Sequence, residues 1–193
     1  EKELIIYIEE DGEEKEKIIN LKSNRIKITN QTLDVTMIEI LDEDLIDSYF
    51  EYDEDAVKDK EFLNESVFNL QFPKGGELKG AFGKIIDKTT DKTKFTYDAG
   101  TDFGSSGSPI VLANGYKIIG IHKAGKKDVS VGNKINLGIY LYKAIELIPE
   151  STRPENKNTI KCLYEIKKED VDTNIKVYDN KNDIEKDINS IYI

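Results

Sequence analysis

The chain has 193 residues and a net charge of −10, from 28 Lys and Arg against 38 Asp and Glu. That length suits one or two domains with a sizeable core. The acidic balance, with Arg25 and Arg153 the only arginines, excludes a clustered basic surface for nucleic acid. A single Cys, Cys162, excludes a disulfide scaffold, and a single His, His122, excludes multi-His metal sites. No apolar run approaches the ~20 residues of a membrane-spanning helix, so no membrane partner is expected. No metal and no organic cofactor is implied. No secretory signal opens the chain, which starts at Glu1; this leaves the compartment open, with the cytoplasm slightly ahead.

In chain order, Leu4–Ile8 and Lys17–Leu21 flank Asp11-Gly12 and read as a hairpin. Arg25–Ile28 alternates as a third short strand. Asp34–Leu41 is a fourth, with Val35 and Met37 on one face and Thr36, Ile38 and Ile40 on the other. Apolar residues on both faces predict burial on both sides. The acidic, aperiodic run Asp42–Asp55 reads as a solvated connection and lacks the spacing of a Ca²⁺-binding EF-hand loop. Val67–Phe72 is a strand stopped by Pro73 and Gly75-Gly76. Gly80–Ile86, Lys94–Tyr97, Ile110–Leu112, Lys117–His122 and Ile135–Leu141 complete an antiparallel set. Ala144–Ile148 reads as one or two helical turns that end before Pro149. Ser151–Asn158 is a polar linker, and Thr159–Ile193 reads as a small β-module in which Cys162 is a buried apolar residue.

These elements predict an all-β fold of hairpin-connected strands, an antiparallel barrel or sandwich. The expected division is 1–55 for the first strands with their connection, 56–150 for the second antiparallel set, and 151–193 for the linker and tail module; the resemblance given below makes the first a partial β-barrel and the second a complete one.

The segment Thr101–Pro109, TDFGSSGSP, lies between two strands. Gly104 and Gly107 bracket Ser105-Ser106, and such glycines let neighbouring N–H groups converge on one space beside an exposed hydroxyl. On the motif alone, a Gly/Ser-rich hairpin loop remains the competing reading. The longer run FTYDAGTDFGSSGSPIVLANGYKIIGIHKAG resembles the nucleophile region of chymotrypsin-like serine peptidases, whose pattern is Gly-x-Ser-Gly-Gly/Ser-Pro followed by a strand, a hairpin and an apolar strand. The resemblance implies a double β-barrel, Ser106 as nucleophile, and the N–H groups of Gly104 and Ser106 as the oxyanion hole. Ser105 departs from digestive members, which carry an Asp there for zymogen activation. Upstream, Asp34 in LDVTMIEI resembles the Asp-led strand whose carboxylate orients the family's catalytic His. No residue before Asp34 is His, and His122 follows the nucleophile. The expectation is a chain that begins inside the first barrel and lacks the general base, and so is inactive alone. The rival is a non-catalytic relative serving as a binding or scaffold module.

The run Gly-x-Ser-Gly-Ser-Pro and then Ile-Gly-Ile-His is most similar to the glutamyl endopeptidase subgroup, from which Ile110 departs in place of a Val. That likeness implies that His122 and Thr101 surround an acidic substrate side chain, with Lys123 and Gly125 on the same wall. An imidazole and a hydroxyl can hydrogen-bond a carboxylate or carboxamide. A bound carboxylate favours protonated His122, so binding of acidic substrates is expected to improve as pH falls toward ~6.5. The partner expected is a peptide or protein substrate, cut after an acidic residue.

Overall fold

Alternating apolar and polar residues between Gly- and Pro-bearing turns build residues 66–140. In the computed structural model, which describes residues 3–10, 13–22, 24–46, 50, 52, 61–127 and 134–150, six strands close into one barrel. They are β5 (Ser66–Gln71), β6 (Lys79–Lys88), β7 (Lys94–Tyr97), β8 (Pro109–Leu112), β9 (Ile118–Lys127) and β10 (Lys134–Tyr140). The order around the barrel is β10-β7-β6-β5-β8-β9, antiparallel throughout. Register shifts at Ile85/Asp87, Ile110/Val111 and Leu137/Gly138 supply the local bends that closure needs. Val67, Phe95, Ile110, Ile119 and Ile139 fill the interior at 0% exposure. Each such side chain stabilises the fold by about 1.5–3 kcal/mol through burial.

The helix expected at 144–148 is instead α1, Leu141–Ile145, directly after β10. Leu141, Tyr142, Ala144 and Ile145 are all buried, so the helix turns its apolar side chains into the core that Ile139 and Tyr140 of β10 already line. It stops well before Pro149, as expected.

Residues 3–38 form two separate two-stranded ribbons. β1 (Glu3–Glu10) pairs antiparallel with β2 (Glu13–Asn20), in register from Glu3 opposite Asn20 to Glu10 opposite Glu13. β3 (Lys27–Asn30) pairs with β4 (Val35–Ile38). β4 serves two cores. Leu33, Val35 and Met37 pack into the cluster that fills the barrel, while Ile38 and Ile40 pack against Leu4, Ile6, Ile19 and Ile46.

The strand expected at Arg25–Ile28 starts later, because Arg25 is a buried cation rather than a strand residue. Its guanidinium forms a bidentate pair with Asp44, at 2.6 and 2.8 Å, and also donates to the carbonyls of Asn20 and Glu39. This corrects the solvated reading of the acidic run at Asp44, which is buried and accepts the Leu41 N–H at 2.7 Å. The expected linker and tail at 151–193, with Cys162, and most of Glu51–Asp55 lie outside the described residues.

Candidate active site

The loop between β7 and β8 turns on Gly104 (φ 88°) and Gly107 (φ 91°), both in the left-handed region that side chains resist. A Cβ on Gly104 would lie 3.0 Å from the Lys74 nitrogen, and the Lys74 N–H donates to the Phe103 carbonyl at 2.7 Å. The turn Pro73–Gly75 therefore braces the loop from outside.

Inside, Ser105 is fully buried and its Oγ accepts the Asp102 N–H at 3.3 Å. A carboxylate at that position would need a buried charge partner. Gly107 N–H donates to the His122 carbonyl and His122 N–H to the Ser108 carbonyl, each at 2.8 Å, which sews the loop to β9.

Ser106 is left exposed at the apex, and its Oγ donates to the Lys123 carbonyl at 3.0 Å. Among the described residues, neither the Gly104 N–H nor the Ser106 N–H finds an acceptor. Two free donors therefore flank an exposed hydroxyl.

Asp34 sits in the β3–β4 turn with φ 63°. Its carboxylate accepts from Lys123 Nζ at 2.9 Å. The position expected to face an imidazole thus faces an ammonium, and Ser106 and Asp34 are both in contact with one residue, Lys123.

His122 lies behind this cluster, 2% exposed, with its Nδ1 2.6 Å from the Tyr97 hydroxyl and the two rings edge to face. Burial pushes the imidazole down to about 4 and the Tyr97 phenol up. Both groups are neutral near pH 7. The Tyr97 hydroxyl has no other acceptor among the described residues, so it donates to Nδ1, and the proton of His122 sits on Nε2. Nε2 has no partner among the described residues. The expected rise in binding near pH 6.5 is corrected accordingly, because the desolvated ring does not titrate there.

Thr101 is buried, but its hydroxyl donates to Asn136 Oδ1 at 2.6 Å. Asn136 in turn donates to the Ala99 carbonyl. The absent side chain of Gly125 leaves room over both: a Cβ there would lie 3.2 Å from Asn136 Oδ1 and 3.6 Å from Thr101 Oγ1. Sequence reasoning missed Asn136. Its signal was a lone amide at an inward position of KINLGIY, because a buried amide is retained where it has specific partners.

Among the described residues, no group of three or more His, Cys, Asp or Glu side chains could hold a metal ion. No helix of those residues is long and apolar enough to cross a membrane.

The chain matches no family model and no curated protein. Among solved structures, it is similar to the inactive form of a serine-to-alanine mutant of Rv3671c from M. tuberculosis. The two are 12% identical, the match covers 79% of this chain and 89% of that one, and the TM-score is 0.42. A second structure, described as the inactive form of Rv3671c protease, is 13% identical over 74% of this chain and 86% of that one, with a TM-score of 0.40.

Proposed function

We propose that the protein is a serine endopeptidase of the chymotrypsin-like type that cuts peptide bonds after an acidic side chain. One observation carries the reading. Ser106 and Asp34, from distant segments, meet at Lys123, beside two N–H groups that have no acceptor among the described residues. In this reading Ser106 Oγ attacks the substrate carbonyl, and the Gly104 and Ser106 N–H groups receive the oxyanion that develops. Asp34 orients an imidazole base that takes the hydroxyl proton and that this chain does not itself supply. That base is not His122, whose Nδ1 is held by Tyr97. His122, Thr101 and Gly125 instead form the recognition wall. A neutral Nε2–H donates to a carboxylate or to a carboxamide, and bonds to charged groups are worth about 1.5–3 kcal/mol against about 0.5–1.5 for neutral ones. Glu is therefore preferred, Gln is second, and Leu or Lys is poor.

The test pairs an organophosphorus fluoride with a peptide library. The expected result is a covalent adduct on Ser106, absent in Ser106→Ala, and slow cleavage after Glu. Turnover is slow because an unassisted hydroxyl is a weak nucleophile. His122→Ala is expected to lower kcat/KM for Glu substrates about tenfold more than for Ala substrates. Preference for Lys, Arg or large apolar residues would remove the pocket assignment.

A second reading, a peptide-binding module without cleavage, is supported by the Ser106 hydroxyl donating to a main-chain carbonyl while the chain's one imidazole is bonded to Tyr97. It predicts binding of Glu-containing peptides with no adduct on Ser106.

A further inference from the structure

Lys123 joins two elements that share no sheet. Its ammonium leaves β9 and reaches the turn between β3 and β4, donating to the Asp34 carboxylate at 2.9 Å and to the Leu33 carbonyl at 3.2 Å. The turn holds those acceptors in place. Leu33 N–H donates to Asn30 Oδ1 at 2.9 Å, and Asp34 N–H donates to the Asn30 carbonyl at 2.8 Å. The main chain of Lys123 meanwhile accepts the Ser106 hydroxyl. As a structural tie the ion pair is weak, because its side chains are 21% and 34% exposed and such pairs contribute about 0–1 kcal/mol. Its larger effect is on which groups are available to react.

We propose that Lys123 is a latch that holds the site at rest: its ammonium occupies the Asp34 carboxylate that the reaction needs for its base. The inference rests on the serine-peptidase reading above. An imidazole that approaches Asp34 must displace the ammonium. While the pair persists, the carboxylate is already neutralised and stabilises an imidazolium less. The latch opens when the flexible four-carbon stem of Lys123 swings to solvent.

The experiment uses the full chain, a dialkyl fluorophosphate and added imidazole, with intact mass as the readout. In the labelling step the Ser106 Oγ–P bond forms, the P–F bond breaks, fluoride leaves, and imidazole takes the hydroxyl proton. Lys123→Met is expected to label about tenfold faster than wild type at high imidazole, part of the range a positioned base supplies, with a rate that saturates in imidazole. Lys123→Arg, which keeps the pair, should stay near the wild-type rate. Asp34→Asn added to Lys123→Met should lose the imidazole dependence.

Ser106-specific labelling that Lys123→Met does not accelerate, or that Lys123→Arg accelerates as much, overturns the latch and leaves the peptidase reading intact. Labelling that survives Ser106→Ala, or no labelling of any chain, overturns both. If Lys123→Met does not fold, Lys123→Thr, β-branched and suited to β9, replaces it. Failure of both variants to fold assigns Lys123 a structural role and overturns the latch.

Discussion

The closed barrel and the two N-terminal ribbons solve the same problem by different means. In the barrel every strand pairs on both sides, and interdigitated apolar side chains such as Phe95 and Ile139 fill the interior. In the ribbons each strand pairs once, and the small cluster around Ile19 is closed by a polar clasp, Arg25 with Asp44, and by the outer face of β4. Where apolar area is scarce, a fully satisfied buried ion pair fixes the arrangement, at the risk of a large loss if either partner is removed.

The largest effect should come from breaking that clasp. Arg25→Ala leaves Asp44 charged and buried, and a loss of about 3–5 kcal/mol is expected in denaturant unfolding. An unchanged midpoint would show that the ribbons do not depend on the pair.

Acid titration separates the two regions. His122 is held at about 4 against an ordinary value of 6.5, so its unfolded form binds protons first. Stability is fully present above pH 6.5 and declines as pH falls toward 4, by about 3 kcal/mol in total. His122→Asn should flatten that slope. Asp44 works in a lower window. Burial pushes it up, but the Arg25 hydrogen bond, the Leu41 N–H and nearby cations outweigh this and hold it below the usual carboxylate range. Its contribution is present above the unfolded value and lost only as pH falls below it. Two acid phases in wild type, the first absent in His122→Asn, are expected.

A smaller loss tests barrel packing. Cβ atoms on Gly120 and Gly138 would each come within 2.6 Å of the Phe95 ring. Gly138→Ala should cost about 1–3 kcal/mol by overpacking, measured by thermal unfolding. A neutral result would mean that the Phe95 ring shifts to accommodate it.

The smallest effect lies in the β6–β7 turn. Asp91 accepts from the Thr89 hydroxyl and from the Thr93 N–H and hydroxyl, which lower it to about 2. Thr89→Ala should move its carboxyl titration, followed by NMR, back toward the ordinary value. Stability at neutral pH should fall only slightly, because the turn is solvent-exposed.

Strands were legible because alternation and turn residues are local signals. The strands flanking Asp11-Gly12 pair as expected, Pro73 marked its turn, and β7 falls where Lys94–Tyr97 was expected. The loop at Ser106 was legible as a spacing, since its glycines are needed for positive φ. Pairings were not legible. In a chain with 34% charged residues nothing local distinguishes Arg25 and Asp44 from their neighbours, and Lys123 and Asp34 are 89 positions apart. The helix start was misplaced because Leu141 and Tyr142 continue the apolar run of β10, and only tertiary packing converts them to helix.

The two-sided burial of β4 has a consequence for how the sequence can vary. Most barrel strands keep one face in solvent, where a substitution usually changes stability by no more than about 0.5 kcal/mol. β4 has little such slack: Val35 and Met37 answer to one cluster, Ile38 to the other, and Thr36 bonds Thr29 across the ribbon. Each position is constrained by a different neighbour. Compensation for a change at one of them must be found among a different set of neighbours, and among the described strands this four-residue stretch should tolerate a narrow range of replacements.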